Sequence, residues 1–401
     1  MLQALTIHHL GPLEHAAMAL RPRLNIVTGD NGLGKSFLLE LAWWALTGTW
    51  VSGPAWPRPE QQAAAQVHWD ASTTTHPVNT MGAYVAESPA RFDPSLQAWR
   101  DRVANRHHDA PTLLVLADGS FAVWDPLRHV RWVEEPGAHR YRADAVGVTG
   151  FSVHALWQGL EHQGRTVCNG LIRDWVSWQR EGPEESGRFA VLEAVLGALS
   201  ADPAAPLRPG RPMRVFVDDA REFPTLSLGY GTTPLIHASS AVRRIVGLAY
   251  LLVWAWHEHQ SAAKLRGHAP ASEIVLLFDE VENHLHPRWQ RRIVPALLAA
   301  MAALPGAPRV QLLATTHAPL TLAGLEPCFD PAQDAIFHLM EGPASPGTVA
   351  SLQELPWSPQ GDAVNWLVSE SFGLQQARSL EAERAIEAAE ALMPWHSARP
   401  S

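Results

Sequence analysis

Apolar residues recur along the chain in two rhythms, and these divide it into strands and helices. Leu24-Asn25-Ile26-Val27, Ile274-Val275-Leu276-Leu277-Phe278, Val310 to Thr315 and Ala335 to Leu339 are short runs with almost no polar break. Strands at the centre of a parallel sheet read this way, because both of their faces are covered. Leu113 to Leu116 and Phe121 to Trp124 flank Asp118-Gly119, the pattern of a hairpin closed by a D-G turn. Near the N-terminus Leu2, Leu5 and Ile7, then a break at Gly11-Pro12, then Ala17, Met18 and Leu20 predict an antiparallel ribbon. Residues 67–88 alternate loosely, as strands of a second layer would. Two further short strands are expected at Val215 to Val217 and at residues 234–237.

The helical rhythm predicts helices over Phe37 to Leu46, closed by Gly48, and over His154 to Leu160, Leu171 to Arg180 and Phe189 to Leu199. Longer helices are expected over Val242 to Gln260 and Arg288 to Leu304, and an acidic amphipathic segment over Asp362 to Met393. The polar stretch Glu181 to Gly187 separates two of the helices. Residues 201–212 hold four prolines and read as a linker. Residues 128–150 show no period. Strands alternating with helices imply an α/β chain with a mostly parallel sheet. The expected division is an N-terminal lobe at 1–150, an inserted helical subdomain at 151–212, a C-terminal lobe at 213–345 and a helical extension at 346–401. No repeat and no sustained heptads occur, which excludes a long coiled-coil arm.

Composition narrows the class only slightly. The 401 residues are 46% hydrophobic and 18% charged, enough for a large core. A net charge of −9 argues against a polybasic nucleic-acid binder but leaves room for a local basic groove. Cys168 and Cys328 are the two cysteines, far apart, and read as reduced thiols of a cytoplasmic protein. The N-terminal residues lack a charged segment followed by an apolar core, so no secretory signal is predicted. Ile245 to Trp256 is too short to span a membrane.

Charge usage points to one loop. The chain has two lysines, Lys35 and Lys264, against 29 arginines. Lys35 lies in Gly29-Asp30-Asn31-Gly32-Leu33-Gly34-Lys35-Ser36, which fits the phosphate-binding pattern G-x-x-x-x-G-K-[ST] between a strand and a helix. Glycines let the backbone wrap phosphates, and N–H groups at the helix start face the anion. Lys35 is expected on the β- and γ-phosphates and Ser36 on Mg²⁺. Asp279-Glu280 ends an apolar strand, as the Walker B pattern does. Asp279 is expected on Mg²⁺, and Glu280 on the attacking water, a division of labour that suits phosphoryl transfer. Thr315-Thr316-His317 ends the next strand, where a neutral imidazole could donate to the γ-phosphate. Each pair also admits a plainer reading, as a cap on the helix that follows.

Together these motifs resemble the ABC-type ATPase heads, in their OLD/RecF/SMC-like branch. Asp279-Glu280-Val281-Glu282-Asn283-His284-Leu285-His286-Pro287 is similar to the branch's D-E-x-E-x-x-L-H-P, and Ala314-Thr315-Thr316-His317-Ala318-Pro319 to its T-T-H-[SA]-P. The resemblance covers the start of the chain and residues 238–320. It implies a P-loop NTPase fold with an antiparallel β-layer, and ATP and Mg²⁺ as ligands. It also implies a head-to-tail homodimer or higher homo-oligomer with ATP between the P-loop of one copy and the signature turn of the other. Ala238-Ser239-Ser240-Ala241-Val242-Arg243 stands where the family has L-S-G-G-[QE], so Ser239 would meet the γ-phosphate in trans, although both glycines are replaced. Gln158 is the candidate for the family's Q-loop glutamine. His284 and His286 lack partners at zinc-ligand spacing. Asp218, Asp219 and Glu222 could hold two metals in a nuclease, but no second acidic cluster of Toprim type follows, and a solvated loop is the simpler reading.

The tail Ser369-Glu370-Ser371-Phe372-Gly373-Leu374, then Ala377-Arg378-Ser379, is similar to the end of stand-alone OLD-like ATPases of Septu type, which work with a separate nuclease. That likeness implies an ATP-driven dimerising switch that controls a partner nuclease or toxin in anti-phage defence. A DNA repair ATPase of RecF type, binding DNA directly, is the rival. A non-hydrolysing nucleotide-gated scaffold is a third possibility, disfavoured by the presence of Glu280 and His317.

Overall fold

The computed structural model describes residues 1–71, 84–85, 89–100, 110–129, 149–162, 164–181, 187–229, 231–341, 350–369, 371–372 and 379–392. Most of the 128–150 stretch, the interior of the Glu181 to Gly187 loop and most of the motif at 369–379 lie outside these residues.

Two sheets form the body. Among the described residues the larger has eight strands, in the order 149–151, 121–124, 112–115, 273–278, 309–315, 24–29, 334–340, 351–355. Its five middle strands run parallel, with Leu277 opposite Leu114 and Leu313, Thr315 opposite Val27, and Phe337 opposite Val27 on the far side. The apolar runs that read as central strands are these strands. Their side chains alternate between two cores. Ile274, Leu276 and Phe278 face a core built with the long helix, whereas Val275 and Leu277 face a second core built with the P-loop helix and the other sheet. Burial on both faces explains why they are almost wholly apolar, and polar residues such as Asn25 and Gln311 are buried within them only with hydrogen-bond partners.

The second sheet is antiparallel and begins with the ribbon Leu2–Leu10 and Leu13–Ala19, to which Gln66–Ala71 is added. It covers the P-loop helix Lys35–Thr47, whose Trp43 and Trp44 are buried beneath it. On the opposite face runs Ser240–Arg266, a helix of 27 residues closed by Gly267 in a left-handed cap. Helices Leu171–Glu181 and Arg188–Ala198 pack on it and join its core.

Several local expectations are corrected. The long helix continues six residues past Gln260, to Arg266. The expected helix from Arg288 to Leu304 is two pieces, Pro287–Gln290 and Ile293–Ala302. The following helix, Pro319–Leu325, crowds the break: a Cβ on Gly324 would lie 1.7 Å from the Arg291 carbonyl oxygen. After a helix at Val153–Gln158 the chain turns back in a hairpin, Leu160–His162 with Arg165–Cys168, instead of staying helical. Residues 235–237 form a 3-10 turn after the strand Gly231–Pro234. The run Val215 to Val217 is no strand; Val217 is 95% exposed, and the Arg214 guanidinium binds the carbonyls of Phe216, Val217 and Asp219. Among the described residues of the acidic tail, Ala363–Leu367 and Leu380–Leu392 are helical.

Both cysteines are free thiols. Burial pushes Cys168 up to about 11, and its sulfur lies 3.1 Å from the Tyr250 hydroxyl. Among the described residues no helix is long and apolar enough to cross a membrane.

Candidate functional site

Parallel strands in register bring their carboxyl ends together, and loops leaving that edge share one crevice. Here the strand Arg309–Thr315 lies between the P-loop strand Leu24–Gly29 and the strand Glu273–Phe278. The P-loop, Asp279-Glu280 and Thr316-His317 therefore leave from three neighbouring strand ends. Backbone bonds tie the ends: Thr316 N–H donates to Val27 O at 3.0 Å, Val281 N–H to Thr315 O at 3.1 Å and Asp279 N–H to Val115 O at 2.8 Å.

The P-loop conformation depends on glycine. Gly29 has φ 134° and Gly34 φ 101°, in the region that L side chains avoid. A Cβ at Gly29 would stand 2.4 Å from Leu339 O, and one at Gly34 would stand 2.7 Å from the Pro12 ring. The tip of the N-terminal ribbon thus packs directly on the loop. Asp30, Asn31, Gly32 and Ser36 are exposed, and Leu33 is half-buried. Lys35 is buried, and its ammonium donates to Gly29 O at 2.7 Å and Asp30 O at 2.9 Å. An ammonium has three protons, so one is left for a ligand. Burial lowers the Lys35 pKa, while Glu280, Asp279, Glu282 and Asp30 pull the other way. A desolvated cation above open glycine backbone fits a phosphate group.

Asp279 is buried, and its Oδ1 accepts from the Thr315 hydroxyl at 2.7 Å. The same hydroxyl accepts from Glu280 N–H at 2.7 Å. Thr315 therefore holds both acidic residues with one oxygen. Glu280 has φ 46°, a left-handed conformation that costs a residue with a side chain about 1–3 kcal/mol. These two bonds offset that strain. Asp279 and Ser36 offer hard oxygen donors, the kind Mg²⁺ takes alongside phosphate oxygens and water. Among the described residues no group of three His, Cys, Asp or Glu gathers as a metal cluster, His284 and His286 included.

His317 is 43% exposed, and its backbone N–H and ring Nδ1 both lie against Oε1 of Glu282, at 2.7 and 3.1 Å. Ser239 caps the long helix and accepts from Val242 N–H at 3.4 Å. Gln158 ends its helix with Oε1 accepting from Arg221 at 2.8 Å, so its side chain is held by the 214–221 loop. It also lines a cavity of about 480 Å³ with Asp118, Ser240, Arg244 and His284. Of the acidic residues weighed for a nuclease, Asp219 is clamped by Arg221, which holds its carboxyl down to about 2, and Glu222 pairs with Arg180.

Three residues with structural weight in the site were not singled out by sequence reasoning. Thr315 and Glu282 lay inside quoted motifs, but nothing local marks a hydroxyl or carboxylate as a brace. Arg244 is the third. Its Nη1 donates to Ala117 O at 3.3 Å, and Asn283 Nδ2 donates to the same carbonyl at 3.1 Å. Burial lowers its pKa, against attraction from Glu280, Asp118, Glu282 and Asp279. The cation thus links the long helix to the turn after Glu280.

A phosphate loop, paired carboxylates and a histidine stand at adjacent strand ends under an antiparallel layer, the layout of P-loop ATPase heads of ABC type. Residues 206–323 match the family model described as "AAA domain, putative AbiEii toxin, Type IV TA system". A stretch of 54 residues is 46% identical to the Septu protein PtuA of Bacillus mycoides (strain KBAB4). That stretch is 14% of this chain and 7% of that protein, so the match spans a small part of the curated relative. The solved SMC head domain from Thermotoga maritima is similar over 89% of this chain and 99% of that one, with 12% identity and a TM-score of 0.41. The recombination mediator protein RecF, solved as RecF-ATPrS, is similar over 89% and 98%, with 11% identity and a TM-score of 0.37. The class rests on strand order and loop placement, to which such loose likenesses add no weight.

Proposed function

We propose that the chain binds and hydrolyses ATP, and that ATP closes two copies head to tail while hydrolysis reopens them. The observation that carries this reading is the convergence of the P-loop, Asp279-Glu280 and His317 on one sheet edge. Gly29 to Ser36 would cradle the triphosphate with backbone N–H groups, and Lys35 would neutralise the β- and γ-oxygens. Mg²⁺, held by Ser36 and Asp279, would add positive charge along the same oxygens. Glu280 would orient the attacking water and accept its proton. His317 would face the γ-phosphate. Ser239 would complete the site of the opposite copy, and Gln158 would report nucleotide state between the lobes 1–150 and 213–345 and the helical stretch 151–212. The extension 346–401 is left without a chemical role.

The short stretch shared with a Septu protein supports a defence role in the cytoplasm, in which the switch controls a partner nuclease or toxin. The net charge of −9 weighs against direct DNA binding as the main task.

Glu280→Gln tests the switch. Turnover is expected to fall by about 100- to 1,000-fold with ATP affinity kept. Light scattering with ATP and Mg²⁺ is expected to show a stable dimer. A monomer under those conditions would overturn the shared site, and tight, salt-sensitive DNA binding without a partner would replace the effector reading with repair.

A further inference from the structure

Glu280 sits in a strained turn, with φ 46°, and the turn is held from two sides. On one side stands Thr315, whose hydroxyl takes the Glu280 N–H and whose carbonyl takes the Val281 N–H. On the other side runs the chain at residues 115–117. Val115 O accepts from Asp279 N–H at 2.8 Å, and Ala117 O accepts from Asn283 Nδ2 at 3.1 Å. Asn283 also closes the turn itself, its N–H donating to Glu280 O at 2.8 Å. Ala117 O has a second donor, Arg244 Nη1 at 3.3 Å. One carbonyl therefore joins the turn to the long helix Ser240–Arg266.

Stability alone does not account for Arg244. The residue is half-buried, and among the described residues its Nη2 is buried without a hydrogen bond. An unpaired buried donor on a cation is destabilising, and an apolar side chain of similar length would fill the space without that cost. The Phe278 ring, its centroid 5.8 Å from the guanidinium carbon, offsets only part of it. What the cation supplies is a donor at Ala117 O and a charge near the carboxylates, among which Glu280 acts on it most strongly. A carbonyl held by donors from two elements is also more rigid than one held by Asn283 alone.

We infer that Arg244 is a positioning residue for Glu280: it holds the Ala117 carbonyl against Asn283, and so fixes the turn that aims the carboxylate. This rests on the ATPase reading and deepens it. Arg244→Met keeps a long stem and removes the donor and the charge. Arg244→Lys restores both, and one ammonium suffices for one carbonyl. Arg244→Gln is shorter and uncharged, and serves where the Met variant does not fold.

The test uses the full chain and three measurements: hydrogen exchange of the backbone at 279–283 without nucleotide, a denaturant melt, and turnover beside ATP affinity by calorimetry. In the Met variant exchange at 279–283 is expected to quicken by about tenfold, as local opening does. Its melt midpoint is expected to stay or rise. Its kcat should fall by about 10- to 100-fold with the ATP dissociation constant within about threefold, as misorientation predicts. The Lys variant should recover kcat to within about fivefold of wild type, since the bond to Ala117 returns. Asn283→Ala acts through the same carbonyl, so joining it to Arg244→Met should lower kcat by less than the product of the two single losses. Unchanged exchange at 279–283 in the Met variant overturns the hold on the turn. Quickened exchange with unchanged kcat overturns the role in the reaction. A lower melt midpoint, with affinity and kcat falling together and no rescue by Lys, reduces Arg244 to a residue of the fold and overturns the proposal. Losses that multiply overturn the shared carbonyl as the route. If the wild type neither binds nor hydrolyses ATP while the Met variant still quickens exchange, the ATPase reading fails and the hold on the turn stands.

Discussion

The P-loop builds its half of the candidate site from backbone, whereas the corner of residues 279–282 and 315–317 builds its half from side chains. In the loop, Gly29 and Gly34 take conformations closed to other residues, and even Lys35 rests on two main-chain carbonyls. In the corner, one hydroxyl serves Asp279 and Glu280, and one carboxylate oxygen of Glu282 accepts from the His317 backbone N–H. The loop closes within eight residues. The corner joins residues 35 or 36 positions apart that meet only because their strands pair in parallel. On the proposed reading, the backbone cradle would set whether an anion binds, and the braced side-chain corner what happens to it afterwards. The two halves should therefore fail in different ways.

The largest effect is expected at the loop. Lys35→Ala removes the only lysine near the site and should raise the ATP dissociation constant by about 100-fold or more, read by titration calorimetry. A shift below about tenfold would mean that the loop amides alone carry binding, and would erase much of the contrast. The corner should show the reverse. Thr315→Val leaves Asp279 and the Glu280 N–H short of a partner inside a buried site, at a cost of about 1–3 kcal/mol in stability. Its turnover should drop by about tenfold or more, as loosened orientation predicts, with ATP affinity within a few-fold of wild type. Loss of affinity equal to that of Lys35→Ala would show that the halves are one unit. The smallest effect is expected at the N-terminus of the long helix. Ser239→Ala removes an N-cap and should cost about 0.5–1 kcal/mol in a denaturant melt, leaving ATP binding by the monomer unchanged. A larger drop in dimerisation than in stability would place Ser239 in the shared site.

The two halves also differ in how readable they were. Gly29 to Ser36 is a contiguous motif between an apolar strand and a helix, so its local chemistry announced the loop. The central strands were equally plain, since burial on both faces leaves an almost continuous apolar run. The break at Arg291 and Arg292 was not visible, because it follows from how closely Gly324 approaches from another element. The hairpin at 160–168 was hidden by a short sequence with no strong strand pattern. The bonds of Gln158 and Arg221 could not be foreseen, for they join residues 63 positions apart.

The amino-acid sequence by itself determined the class of sheet, the phosphate loop and the identity of the charged groups, because each is written in residues adjacent along the chain. Only the tertiary structure decided which of those groups hold one another. Parallel pairing of two strands put Glu282 beside His317 and Thr315 beside Asp279 and Glu280. A hydrogen bond forms only at fixed distance and direction, and those are set by packing between elements far apart in the chain.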